Sequence, residues 1–225
     1  MSGLPAHAAA APSHSLGAMS DTGQGGRERD DRMAAFIAIA VMVGIMWILE
    51  IGDQIAGGDL DGYGIRPRDV DALPGILATP FLHEGFGHLI GNTIPFVVLG
   101  AIIAFDGLAR LLLATAIIIV VGGLGTWLIA PAGTVHIGAS GVVFGYAAYL
   151  IVRGIFSRSL LELGIGLLVL VLYSSTLMSA LVPTPGVSWQ SHVFGALAGV
   201  LAAWLLGRPS REGAPTGGAP GGPDL

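Results

Sequence analysis

The sequence contains no cysteine and no lysine, and only 11% of its 225 residues are charged. Without cysteine, neither a disulfide framework nor a thiolate zinc site can be built. All ten basic residues are arginine, and the net charge of −5 leaves no basic patch to neutralise phosphates, which excludes nucleic acid as a partner. A water-soluble domain of this length needs far more charge to cover its surface. With 53% hydrophobic residues and a mean hydropathy of +0.76, much of the chain must have lipid as its solvent.

Six apolar segments can be marked, at Met33–Ile51, His88–Phe105, Leu108–Ala130, Gly138–Val152, Leu160–Val182 and Val187–Leu206. A hydrocarbon core of about 30 Å asks for about 20 helical residues, and most of the segments qualify. The fourth, at about 22 Å, is too short to cross alone. It is expected to be enclosed by its neighbours and to start below the membrane surface. Its preceding loop, Pro131–Ile137, would line a polar cavity. The expectation is an all-α membrane domain over residues 33–207 between disordered tails at 1–32 and 208–225, the second carrying GAPTGGAPGGP. The first tail lacks the apolar core of a secretory signal.

Arginine placement predicts orientation. With six spans and the N-terminus inside, Arg27, Arg29, Arg32, Arg110, Arg153, Arg158, Arg208 and Arg211 fall inside, and only Arg66 and Arg68 fall outside. Both termini are then cytoplasmic. The one long loop, about 53–82, lies outside and carries Asp53, Asp59, Asp61, Asp69 and Asp71.

Polar residues among apolar ones carry the functional information. His88 and Asn92 are four apart, so on a helix they share a face and could present two N–H donors to one developing oxyanion. The plainer reading is a polar pair satisfying a helix N-terminus. Gly138-Ala139-Ser140-Gly141 opens the fourth segment, with Gly145 following. A serine there sits beside unpaired backbone N–H groups, and its glycines allow close approach of a substrate backbone or a helix. Small residues of this kind also simply pack or cap membrane helices. In the last segment, His192 is followed by Gly195 and Gly199 on the same helical face. Close packing of that face on Gly141 and Gly145 would bring His192 within reach of Ser140. A histidine paired with water or a carbonyl is the bland alternative.

Together the clusters supply a nucleophile, a base and a donor pair, each near the outer end of its helix. No intramembrane Asp or Glu is an obvious third member, so a Ser–His dyad is expected rather than a triad. The pattern resembles the rhomboid family of intramembrane serine proteases. That family has six core helices, a GxSG motif on the fourth, HxxxxHxxxN on the second, and a histidine followed by glycines on the sixth. Here these are Gly138 to Gly141, then His83, His88 and Asn92, then His192 with Gly195 and Gly199. The resemblance spans about residues 33–206. It implies Ser140 and His192 as the catalytic pair, an oxyanion hole of His88, Asn92 and the Ser140 backbone N–H, and a supporting role for His83. It also implies a lateral gate in the fifth helix, at Leu160–Val182. Two departures stand out: the first outer loop has Arg66-Pro67-Arg68 where many members carry Trp-Arg, and Phe144 replaces a tyrosine that stacks on the histidine.

The expected activity is serine endopeptidase cleavage of transmembrane protein substrates near the outer face through an acyl-enzyme, with no metal, nucleotide or other cofactor implied. The Ala/Gly/Arg bias points to a GC-rich bacterial source and hence a bacterial plasma membrane. The alternative is a non-catalytic rhomboid-like protein that binds membrane clients; such relatives typically lack the serine or the histidine. A zinc protease is disfavoured because His83 and His88 are five apart, about 140° round a helix. A solute transporter would show charged or broken-helix sites near the midplane, and no clear pair of these is present.

Overall fold

The computed structural model describes residues 16–179 and 187–207, with residues 16–24, 176, 177 and 179 described by backbone alone. The described residues form helices α1 (Leu16–Ala56), α2 (Gly75–Ala78), α3 (Gly85–Ala104), α4 (Leu108–Ile117), α5 (Gly123–Ile129), α6 (Ser140–Ser157), α7 (Leu160–Ser179) and α8 (Trp189–Leu206). A π-helical turn, Ile118–Gly122, joins α4 to α5 in one span. Among the described residues, five helices are long and apolar enough to cross a membrane: residues 25–56, 85–104, 108–129, 140–157 and 189–206. The chain is an all-helical, multi-pass integral membrane protein. Most side chains facing away from the bundle, such as Ile48, Ile94, Leu128 and Leu172, are large and aliphatic, as a lipid-facing surface requires.

Two expectations are corrected. Residues 16–32 are helical and continue into the apolar run at Met33, where a disordered tail was expected. No proline interrupts them, and Glu28 pairs with Arg32 one turn on at 3.7 Å, a spacing that supports a solvated helix. Residues 1–15, 180–186 and 208–225, which include the whole of the second tail and the end of the Leu160–Val182 segment, lie outside the described residues. The fourth apolar segment is also longer than expected, because α6 runs past Val152 to Ser157 and is long enough to span. Arg153 does not end it. That guanidinium is buried and forms ion pairs with Asp106 in the α3–α4 turn and with Glu162 of α7, the latter at 3.0 Å. A neutralised arginine can stay inside a helix bundle where a lone one could not. The helix is nonetheless the most enclosed of the five.

The core surrounds α6. Tyr146 shares a 2.6 Å hydrogen bond with Thr115 of α4, and Trp47 of α1 donates to Thr93 of α3 at 3.2 Å. These contacts satisfy polar groups that lipid could not. The bundle has two distinct ends. Asp31 lies against Gly107, and Asp106 pairs with Arg153, so the start of the apolar part of α1, the α3–α4 turn and the α6–α7 turn share one end. At the other end, the loop between α1 and α3 docks on the end of α5. Arg68 donates to the carbonyls of Leu128 and Ala130 at 2.9 and 2.8 Å, and Trp127 donates its indole N–H to the carbonyl of Asp69 at 3.0 Å. A tryptophan thus does meet this arginine-bearing loop, but it comes from α5 and not from the loop itself.

Candidate functional site

Ser140 is the first residue of α6, and His192 lies one turn into α8. Both are at the end of the bundle that carries Arg68. Their helices meet along a seam of four glycines. A Cβ on Gly195 would fall 2.9 Å from the Gly141 carbonyl carbon, and one on Gly199 would fall 2.8 Å from the Gly145 carbonyl carbon, closer than a side chain tolerates. Gly195 also abuts Gly122 in the π-helical turn, so three helices touch at a point where only hydrogen fits. The two small-residue faces read from the sequence therefore meet each other. The consequence is a distance: His192 Nε2 stands 3.0 Å from Ser140 Oγ.

His192 is 8% exposed, and its Nδ1 has no hydrogen-bond partner among the described residues. Among the described residues no carboxylate orients the ring. Phe144 does, stacking on it at 4.3 Å between centroids and 21° between planes. An imidazole nitrogen so placed can take a proton from the hydroxyl, and a flat apolar ring can hold its plane without adding charge.

His88 and Asn92 lie on one face of α3, and both reach Gly138. A Cβ there would fall 2.7 Å from His88 Nε2 and 3.2 Å from Asn92 Nδ2. Gly138 has φ +107°, a conformation that side chains rarely adopt, so glycine is required twice over at this position. The Glu84 N–H donates to His88 Nδ1 at 3.4 Å. On a neutral ring that makes Nε2 the protonated nitrogen, a donor pointing at the turn before Ser140. Asn92 is 6% exposed, and its Nδ2 is buried without a partner. A buried, unpaired donor is costly and marks a place where a ligand atom can bind.

His83 is not on α3, so the argument from helical faces does not apply to it: its ring lies edge-on to that of His88 at 5.2 Å between centroids. It is 2% exposed, and its Nε2 accepts the Ala139 N–H at 3.3 Å, which fixes the residue before Ser140. Burial, with His88 alongside, pushes the His83 imidazole down to about 4, so Nε2 keeps its lone pair near neutral pH. Among the described residues no group of three or more His, Asp or Glu could hold a metal ion.

The loop before α6 is tied to the loop between α1 and α3. Ile65 and His136 exchange both backbone hydrogen bonds, at 2.9 and 3.0 Å, which stitches the α1–α3 loop to this segment. Beside Ser140 lies a narrow open cleft, to which this segment contributes only Gly138; Thr79, Pro80, Ile118, Gly141 and Ser191 also line it. Thr79 and Ala139 were missed by sequence reasoning. Their contacts run through backbone groups of distant loops, and no residue pattern announces them.

A family model described as the Rhomboid domain matches residues 72–209, more than half of the chain. An uncharacterized protein of Mycobacterium tuberculosis is 47% identical over 182 residues, covering 77% of this chain and 76% of the relative. An uncharacterized protein of Mycobacterium leprae is 42% identical over 188 residues, covering 80% and 74%. A Bacillus subtilis protein described as a putative rhomboid protease is 30% identical over 131 residues, covering 57% and 65%. The domain match takes in α3 to α8, every helix that contributes to the cluster around Ser140, and the chain belongs to the rhomboid family.

Proposed function

We propose that the protein is an intramembrane serine endopeptidase that cleaves transmembrane protein substrates through a dyad of Ser140 and His192. The observation that carries this reading is the 3.0 Å contact between His192 Nε2 and Ser140 Oγ, made across 52 residues by two helices in glycine contact. In the proposed reaction neutral His192 takes the Ser140 proton as Oγ attacks the scissile carbonyl carbon. The carbonyl oxygen gains charge and is held by His88 Nε2–H, Asn92 Nδ2–H and the Ser140 backbone N–H. The imidazolium then protonates the departing amine, leaving an acyl-enzyme. Water, deprotonated by the same imidazole, hydrolyses that ester and restores the serine. His83 supports the site by holding Ala139, and Phe144 by holding the His192 ring.

The topology proposed with it has six spans, with α7 as the sixth beside the five named above, and both termini cytoplasmic. The membrane domain occupies residues 33–207. The arginine bias supports this orientation, because the end bearing Arg110, Arg153 and Arg158 lies opposite Ser140. Cleavage then occurs near the outer face, where water reaches the site and a substrate helix can unwind to expose a carbonyl. Access is by lateral movement of α7, whose side chains are mostly exposed from Leu167 onward. The mycobacterial relatives fit a bacterial plasma membrane as the location.

The test is purified protein in detergent with a model transmembrane substrate. Wild type is expected to cleave it, and Ser140→Ala and His192→Ala are each expected to lose at least about 10³-fold in kcat. Undiminished cleavage by Ser140→Ala would refute the reading.

A further inference from the structure

We infer that Thr79 is a positioning residue for the proposed reaction, its hydroxyl setting the turn Gly138-Ala139 against the oxyanion donors. The inference rests on Ser140 being the nucleophile. Thr79 opens a 3-10 turn in the α1–α3 loop and is buried. Its Oγ accepts the Ile65 N–H at 3.0 Å and donates to the His136 carbonyl at 3.1 Å. Its own carbonyl accepts the Gly138 N–H at 2.9 Å. One residue thus joins the outer loop to both halves of the segment that leads into α6.

The hydroxyl is not needed to satisfy its partners. The Ile65 N–H and the His136 carbonyl already bond to each other at 2.9 Å, and the second bond of the pair closes at 3.0 Å. What the hydroxyl adds is a fixed distance between the Thr79 peptide and that pair. Through the Thr79 carbonyl, this distance sets the height of Gly138. Gly138, two residues before the Ser140 N–H, lies so close to the donors that a Cβ on it would fall 2.7 Å from His88 Nε2 and 3.2 Å from Asn92 Nδ2. All three proposed oxyanion donors are therefore registered against one another through Thr79. Donor placement acts on the transition state far more than on the bound substrate, and an error of about 1 Å can cost about 10²-fold.

Thr79→Val keeps shape and backbone and deletes only the two hydroxyl bonds. The variant should keep its Tm within a few degrees of wild type while kcat falls by about ten- to a hundredfold and KM stays within about twofold. Thr79→Ser, which restores the hydroxyl, should return kcat to within about threefold of wild type. The rate of covalent labelling of Ser140 by a fluorophosphonate should follow kcat across the series. A Thr79→Val enzyme with kcat within twofold of wild type overturns the inference. So does a Thr79→Ser enzyme as impaired as Thr79→Val, or a loss that disappears on cooling in step with the unfolded fraction, since either would mean a purely structural role. These outcomes are separate from failure of the dyad itself, which would appear as cleavage that survives Ser140→Ala.

Discussion

Gly195 of α8 lies so close to Gly141 of α6 that a methyl group on Gly195 would force the helices apart, and one turn away the same two helices hold His192 and Ser140 at 3.0 Å. Among the described residues the proposed base has no carboxylate partner to steer it. Its position is therefore a property of helix packing.

Widening the seam should thus remove activity before it removes the fold. Gly195→Val drives its side chain into the Gly141 backbone, and should cost about 1–3 kcal/mol of stability as overpacking. Cleavage should fall by at least about 10²-fold, because the hydroxyl and imidazole leave hydrogen-bond range. Thermal unfolding in detergent and substrate cleavage, measured together, check both numbers.

Asn92 offers the opposite combination. Its Nδ2 is buried with no partner, so the fold gains nothing from that N–H bond in the free protein. Asn92→Ala should leave Tm nearly unchanged or slightly raised while kcat drops by about 10²–10³-fold, with little change in KM. Steady-state kinetics beside a thermal scan separate the two effects.

His83 should give stability an acid limit. Its imidazole is held near 4, below the usual value of 6.5, mainly by burial. A lowered histidine pKa means that the folded state resists protonation, so the associated stability is fully present above about 6.5 and is lost as pH falls towards about 4. The loss is on the order of 3 kcal/mol. Asp61 titrates the other way. Burial, with Asp53, Glu50 and Glu84 nearby, pushes its carboxyl up to about 6. Its raised value favours the folded state at low pH, and that contribution disappears as pH rises through about 6. Unfolding scans of wild type from pH 4 to 8 should show the His83 slope, which His83→Gln flattens. Asp61→Asn should gain stability relative to wild type at pH 8 and lose that advantage at pH 5.

At the far end of the bundle, Arg153 is buried between Asp106 and Glu162. Removing one carboxylate leaves a buried charge partly uncompensated. Asp106→Ala should therefore destabilise the protein by about 3–5 kcal/mol. Activity per folded molecule should change little, because the pair lies across the bundle from Ser140. Chemical or thermal unfolding of the purified variant measures the first, and active-site titration the second.

Much of this was legible in the sequence, for reasons specific to lipid. Ser140, His192, His88 and Asn92 could be picked out because polar side chains are scarce in a chain whose solvent is hydrocarbon. The glycines at 141, 145, 195 and 199 announced the seam through their spacing alone. The length of α6 was misread because Arg153 looked like the end of a span, when Asp106 and Glu162, distant in sequence, neutralise it. The Arg68 clasp on α5 and the bonds of Thr79 were not legible. They join backbone groups of segments about 60 residues apart, and backbone groups carry no residue signature. The contact of His83 was not legible either, because it sits before Gly85, where the chain turns and brings its ring to Ala139.

The most direct measurement is the mass-spectrometric location of the adduct formed when the detergent-solubilised protein reacts with a fluorophosphonate. The proposed dyad predicts one modified residue, Ser140, and loss of the adduct in His192→Ala. An unlabelled wild type, an adduct on a different residue, or labelling of Ser140 that persists undiminished in His192→Ala would contradict it.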